Sequence, residues 1–348
     1  MGAARARRWC CAAWLLLAGQ AAGAIPTEPG WHRELVFDAY SPLAAKWAFS
    51  ERVFAPTVVD RLRRFEQASG VVAVEHTVDL ARERYDLYVP RRRPEAGYGV
   101  IVFVSPMPDF PLPRDWHAEL DRRGLLFVTA HRSGNRQNAF ERRMPLALHG
   151  LANVAARFPL DASRVYVAGF SGGSRVAQRL ALGWPDVFGG VILFASSDPI
   201  GVDGFVPPPR ELMRRFQRRS RVVFATGSSD LPNRNLDRIA RASLEAYCVA
   251  NVSTVVPRIG HWVPDRRGLA KALQALERPP VTRAEDEACI RRLEAEADAG
   301  LAEVEALVAA GRVREAGERL GALEDRFGGM LDPRAVALAR EVAAAQGP

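Results

Sequence analysis

Compact apolar runs recur along the middle of the chain at residues 100–104, 125–129, 165–168, 191–195, 222–225 and 252–256. Between them lie segments with helical spacing of apolar positions, at residues 114–123, 140–158, 172–182, 233–248 and 266–276, each bounded by Gly, Pro, Asp or Asn. Unbroken Val, Ile, Leu and Phe runs suit strands whose two faces are both covered. Alternation with helices demands crossover connections, so the pattern predicts an α/β domain with a mostly parallel central sheet flanked by helices. Ahead of this region, residues 72–89 alternate apolar with polar positions before Pro90, which predicts a two-stranded antiparallel start. Residues 27–70 give only a helical or irregular lead-in around Leu62 to Phe65.

Beyond Pro279 and Pro280 the chain turns to Ala, Glu, Arg and Leu, with helical patterns at residues 284–310, 314–326 and 334–345. Gly311 and the pair Gly328 and Gly329 are expected helix stops, and Leu293, Ala297, Leu301, Val304 and Val308 form one apolar face. The segment resembles one tetratricopeptide hairpin, and a single such unit forms no array. It is expected to pack on the main body. The expected divisions are an export signal at 1–24, a lead-in at 25–71, the α/β domain at 72–278 and a helical extension at 281–348.

The first residues change the picture of where the chain works. Arg5, Arg7 and Arg8 precede an apolar stretch from Trp9 to Ala18, and small residues Ala22 and Ala24 precede Ile25 and Pro26. This is the pattern of a signal peptide cleaved after Ala24, and the apolar stretch is shorter than the ~20 residues of a spanning helix. The expected location is periplasmic or secreted, with no stable membrane span after cleavage. Cys10 and Cys11 leave with the signal, so Cys248 and Cys289 remain and are expected to pair as a disulfide. Formal net charge is +8, and removal of the three signal arginines leaves +5, spread as Arg over many segments. So mild and scattered a surplus predicts no nucleic-acid partner.

The strongest chemical signal follows the run at 165–168, where Gly169, Phe170, Ser171, Gly172 and Gly173 spell G-x-S-x-G between an expected strand and an expected helix. A nucleophilic serine on such a turn needs small residues two before and two after it, which Gly169 and Gly173 supply. The serine needs a base, and Gly260, His261 and Trp262 follow the last apolar run. His131 is the rival, and it precedes the serine in the chain. The imidazole needs an orienting acid, and Asp230 follows the run at 222–225 through Thr226, Gly227, Ser228 and Ser229. Asp198 is the main alternative; Asp237 falls within an expected helix.

Residues 161–174 around the serine, Gly134 with Asn135, residues 227–230 and residues 260–262 together resemble the secreted polyhydroxybutyrate depolymerase and feruloyl esterase-like branch of the α/β-hydrolases. The resemblance covers roughly residues 72–278 and implies an α/β-hydrolase fold. It further implies ester hydrolysis through an acyl-enzyme, with Ser171 as nucleophile, His261 as base and Asp230 as acid. Prolyl-oligopeptidase-like peptidases use triads of the same type, and a silent hydrolase-fold binding protein is the further alternative. The loop after Val104 departs from the pattern: it reads Ser105-Pro106-Met107-Pro108 with no His-Gly-Gly. One oxyanion donor is expected at the Gly172 N–H; the prolines of the loop cannot donate while Ser105 and Met107 can, and Met107 is the expected second.

Phe170, Trp262, Asn135 and Phe110 are expected to line the pocket, where an apolar or aromatic acyl or alkoxy group would fit. No metal or cofactor is expected: the two mature cysteines lack zinc-ligand spacing with any histidine, and no Gly-rich phosphate cradle is present. The expected partner is a small-molecule or polymeric ester substrate, with no specific protein partner implied. Export through the signal is expected to yield a chain whose first residue is Ile25. N-terminal sequencing of the exported protein checks this, and an intact Met1 would overturn it.

Overall fold

The computed structural model describes residues 26–71, 74–279, 281 and 283–346. The expected export signal lies outside the described residues. One sheet contains β1 (Gly30–Val36), β2 (Arg84–Val89), β3 (Tyr98–Val104), β4 (Leu125–Ala130), β5 (Leu160–Phe170), β6 (Gly190–Phe194), β7 (Arg221–Phe224) and β8 (Asn251–Ser253). Their order is β1-β2-β4-β3-β5-β6-β7-β8. The first two join antiparallel, β2 meets β4 antiparallel, and every pairing from β4 to β8 is parallel. This order, with its serine-bearing turn after β5, is the α/β-hydrolase fold.

The sheet is buried on both faces, which is why its strands read as continuous apolar runs. Along β3, Val100, Val102 and Val104 enter one core while Ile101 and Phe103 enter the other, the two-residue alternation of a strand expressed in two apolar environments. Against the first face pack α1 (Lys46–Val53), α4 (Met144–Ala155) and α5 (Gly172–Gly183), and against the second α3 (His117–Arg123) and α8 (Arg266–Leu276). The remaining body helices are α2 (Pro56–Ser69), α6 (Arg210–Arg219) and α7 (Leu231–Ala246).

Two expectations need correction. Among the described residues of 72–89 the antiparallel start is not built: the partner of β2 is β1, in the lead-in, with Gly30 opposite Val89 and Val36 opposite Arg84. β1 hides because it is an edge strand whose residues are only partly buried, so no apolar run marks it. The second omission is α6, whose sequence RELMRRFQRR buries little beyond Met213 and Phe216. Its remaining surface is spoken for by the tail.

That tail is α9 (Ala284–Ala309), α10 (Val313–Phe327) and α11 (Arg334–Gln346). Arg210, Arg214 and Arg218, one turn apart on α6, pair with Asp298, Glu294 and Glu287 on α9 at 2.8, 2.8 and 2.7 Å. Leu293, Ala297, Leu301 and Val304 join the same apolar core as the sheet. Gly328 and Gly329 do more than stop α10: they start a 3-10 turn that presses on the segment from Val206 to Pro209. At Gly329 a Cβ would lie 2.5 Å from the Pro209 nitrogen, and Gly328 has φ +45°. The extension therefore shares one core with the body.

Cys248, just beyond α7, and Cys289, on α9, form a disulfide with 5.8 Å between Cα atoms. Closing a loop over a separation of 41 residues restricts the unfolded chain by about 4 kcal/mol in the chain-entropy account. Reduction, or Cys289→Ser, is expected to lower the urea midpoint of unfolding by an amount corresponding to roughly 2–4 kcal/mol. An unchanged midpoint would show that the tail is held without it.

Candidate active site

Ser171 stands between the end of β5 and the start of α5 with φ 52° and ψ −125°, a region that costs a non-glycine residue roughly 1–3 kcal/mol. Its neighbours hold it there. The Ser171 N–H donates to the Phe194 carbonyl at 2.8 Å, and the Ser174 hydroxyl donates to the Ser196 carbonyl at 2.6 Å. Gly169 and Gly173 are obligatory on steric grounds: a Cβ on Gly169 would strike the Gly173 backbone, and one on Gly173 would strike the Val104 carbonyl.

His261 reaches the serine from the loop after β8. Its Nε2 is 2.9 Å from Ser171 Oγ and its Nδ1 is 2.7 Å from Asp230 Oδ2. Asp230 is buried in the loop between β7 and α7. The two loops are laced together. Ser228 N–H donates to the Val256 carbonyl at 2.7 Å, Ser229 N–H to the Ile259 carbonyl at 3.0 Å, and Arg258 N–H to Ser228 Oγ at 2.9 Å. Gly227 is required because a Cβ there would meet the Ile259 and Gly260 carbonyls. With Nδ1–H donated to Asp230, Nε2 is free to accept the serine proton, so the set can carry a proton from Oγ during nucleophilic attack.

The rival residues are engaged elsewhere. Asp198 pairs with Arg179 at 2.8 Å and Arg175 at 3.3 Å. Asp237 accepts from the Ser197 and Thr226 hydroxyls, and burial pushes its carboxyl above the usual range. His131 Nε2 lies 2.7 Å from Asp86, beside the antiparallel end of the sheet.

The expected oxyanion donors stand differently from one another. Gly172 occupies the first position of α5, where an N–H has no acceptor within the helix. The Met107 N–H, in contrast, is donated to Ser105 Oγ at 2.9 Å, so an oxyanion would have to draw it away or share it. The Asn135 amide sits over Gly172, in the space a Cβ on that glycine would need. Phe170 packs on the imidazole of His261 at 5.0 Å and edge-on to Trp262 at 5.5 Å. Trp262 is 51% exposed, an open apolar surface beside the base. Phe110 is corrected: at 2% exposure it lies in the core against Phe103, 4.2 Å between centroids, and lines no pocket.

Two contributors had no signal in the sequence. Asn233, in the first turn of α7, donates from Nδ2 to both Asp230 oxygens at 2.9 and 3.0 Å and lies 3.0 Å from His261 Nδ1. Arg143, 5% exposed, ends a π-helical turn (Ala139–Arg143) and donates to the Ser133 and Ser105 carbonyls at 2.8 and 3.0 Å. It ties the loop after β3 to the loop carrying Asn135, and burial brings its guanidinium down to about 10. A helical Asn and one more Arg in an Arg-rich chain look like surface until the fold turns them inward.

No protein-family model matches the sequence, and no curated protein matches it. Among solved structures the chain is similar to an S-formylglutathione hydrolase from Agrobacterium tumefaciens, at 12% identity over 56% of this chain and 90% of that one, TM-score 0.41. It is also similar to a ferulic acid esterase, at 14% identity over 56% and 90%, TM-score 0.41. A third is dipeptidyl peptidase 4 of Porphyromonas gingivalis, at 14% identity over 56% of this chain and TM-score 0.39, where the chain spans about a third of the peptidase's length, 33%.

Hydrogen bonds to a charged group are worth about 1.5–3 kcal/mol. Asn233→Ala is therefore expected to slow the reaction of Ser171 with a fluorophosphonate roughly ten- to a hundredfold while leaving the protein folded. Labelling at the wild-type rate would show that Asp230 needs no such support.

Proposed function

We propose that the protein is an exported serine hydrolase that cleaves carboxylic esters through an acyl-enzyme. The observation that supports this most is the continuous line from Ser171 Oγ through the two nitrogens of His261 to the Asp230 carboxylate, at 2.9 and 2.7 Å. In the proposed reaction, Oγ attacks the ester carbonyl as its proton passes to Nε2. The imidazolium is stabilised by Asp230, and the tetrahedral oxyanion is met by the Gly172 N–H. Collapse expels the alcohol, which takes the proton from Nε2. Water then repeats the sequence on the acyl-serine and releases the acid.

The open setting of His261 and Trp262 supports an apolar or aryl ester presented at the surface, including one that is part of a polymer such as a polyhydroxyalkanoate. Export to the periplasm or beyond fits the amino-terminal sequence and the Cys248–Cys289 bond. One observation favours a second reading, a binding protein that does not turn over: the Met107 N–H is already donated to Ser105 Oγ. Loss of one oxyanion donor typically costs about 100- to 1000-fold in rate.

Intact-mass labelling by a fluorophosphonate, recorded with turnover of short-chain and aryl p-nitrophenyl esters and of dipeptide anilides, separates these readings. The expected result is one adduct and ester turnover in the wild type, with both abolished in Ser171→Ala and in His261→Ala. Anilide turnover exceeding ester turnover would make the protein a peptidase, and a folded wild type that neither labels nor hydrolyses would leave the binding reading.

A further inference from the structure

At the opposite edge of the sheet from Ser171, around the amino ends of β5 and β7, lies an open cleft of about 610 Å³. Arg164, on its wall, precedes Ser171 by seven residues in the same extended segment, so about 23 Å separate the cleft from the triad. Four further arginines line it: Arg92, Arg122, Arg123 and Arg221. Glu277 lines it too, and Glu119, buried behind, pairs with Arg122 and Arg123.

Arg123 pairs with Glu277 as well as Glu119, but three of the five guanidiniums are held differently from the ion-pair ladder between α6 and α9. Arg92 donates to the Arg122 carbonyl at 2.9 Å, Arg164 to the Arg123 carbonyl at 2.8 Å, and Arg221 to the Leu276 carbonyl. A carbonyl orients a guanidinium without cancelling its charge. Arg164 also meets Glu277 at 3.1 Å, whereas Arg92 and Arg221 have no carboxylate partner among the described residues. Five cations thus face two carboxylates and leave an excess of three positive charges in one concave place. Such an excess is repulsive unless an anion shares the space.

A second, independent observation points the same way. Tyr166 is 2% exposed, lines the cleft, and its hydroxyl has no hydrogen-bond partner among the described residues. That oxygen is not among the fully buried unpaired atoms of the described residues, so it opens on the cleft, where a polar ligand can reach it. Here the phenol stands as a donor beside Arg92, Arg164 and Arg221, each of which engages only one guanidinium nitrogen, whereas Arg123 has all three committed.

We propose that this cleft binds a multivalent phosphate anion, a phosphoanhydride or closely spaced phosphate esters, with Tyr166 and the forks of Arg92, Arg164 and Arg221 as its donors. Planar guanidiniums match phosphate oxygens two at a time, and three excess charges match a group bearing more than one phosphate. The site is separate from the triad, so its test does not depend on the ester reading.

The test is calorimetric titration of inorganic tripolyphosphate into the full exported chain at about 0.15 M salt, where diffuse surface attraction is screened. The expected result is one saturable site, with orthophosphate roughly tenfold weaker or worse. Arg164→Gln with Arg221→Gln is expected to weaken binding at least roughly tenfold. The same loss of charge at Arg238 and Arg314, on α7 and α10, is expected to leave it unchanged. Tyr166→Phe removes one oxygen, tests the site should the double variant fail to fold, and is expected to weaken binding several-fold. Absence of saturable binding, equal weakening by both pairs of arginine changes, or wild-type affinity in Tyr166→Phe would each overturn the proposal.

Discussion

Two backbones meet with almost nothing between them where the Val104 carbonyl faces Gly173, and the candidate site depends on that approach. Because β3 and β5 are parallel neighbours, the chain leaving β3 must pass directly over the first turn of α5. Only glycine at position 173 leaves room for it. The same economy repeats at Gly134 against Met107 and at Gly169 against Gly173. These contacts place the Met107 loop, the Asn135 loop and the Gly172 N–H around Ser171 before any substrate arrives. The strained Ser171 backbone is kept in place by what surrounds it, since the Phe194 carbonyl holds its N–H and Gly173 gives α5 nowhere else to start.

Much of this was legible in the sequence because the relevant signals are local. A buried strand declares itself through an unbroken apolar run, and the serine turn through glycines at fixed offsets. Chain order then sorted Asp230 and His261 from their rivals, since loops after successive parallel strands open on one edge. What stayed hidden was whatever depends on a distant partner. β1 is half-polar because one side faces solvent. α6 is half Arg, and three of those arginines face acidic residues of α9. Phe110 reads as a pocket aromatic in a proline-rich loop, yet the loop folds back and buries it on Phe103. Asn233 and Arg143 have no pattern at all, and their roles follow only from which way α7 and the π-helical turn face.

The arginine surplus takes on a different meaning in three dimensions. Spread along the chain it looked like a solvated surface, but much of it fastens one segment to another. Arg157 meets Asp38, Arg340 meets Asp60, Arg52 meets Asp186, and the α6 series meets α9. Single exposed pairs of this kind contribute about 0–1 kcal/mol. Their value here is in register, since they act beside a shared apolar core and a disulfide that already hold the tail in place. Charge chooses the alignment, and burial supplies most of the stability.

The lacing of the acid loop to the histidine loop has a consequence for how this scaffold can diverge. Gly227 and Ser229 are fitted to the Ile259 and Gly260 carbonyls, so neither loop can lengthen or shorten by itself without pulling the imidazole off its acid. Insertions are therefore barred from that half of the rim. Variation in what the scaffold accepts is left to the other half, the proline-rich stretch after β3 and the turn through Asn135. One side of the candidate active site behaves as a fixed anvil, and lineages built on it would differ in the shape of the hammer.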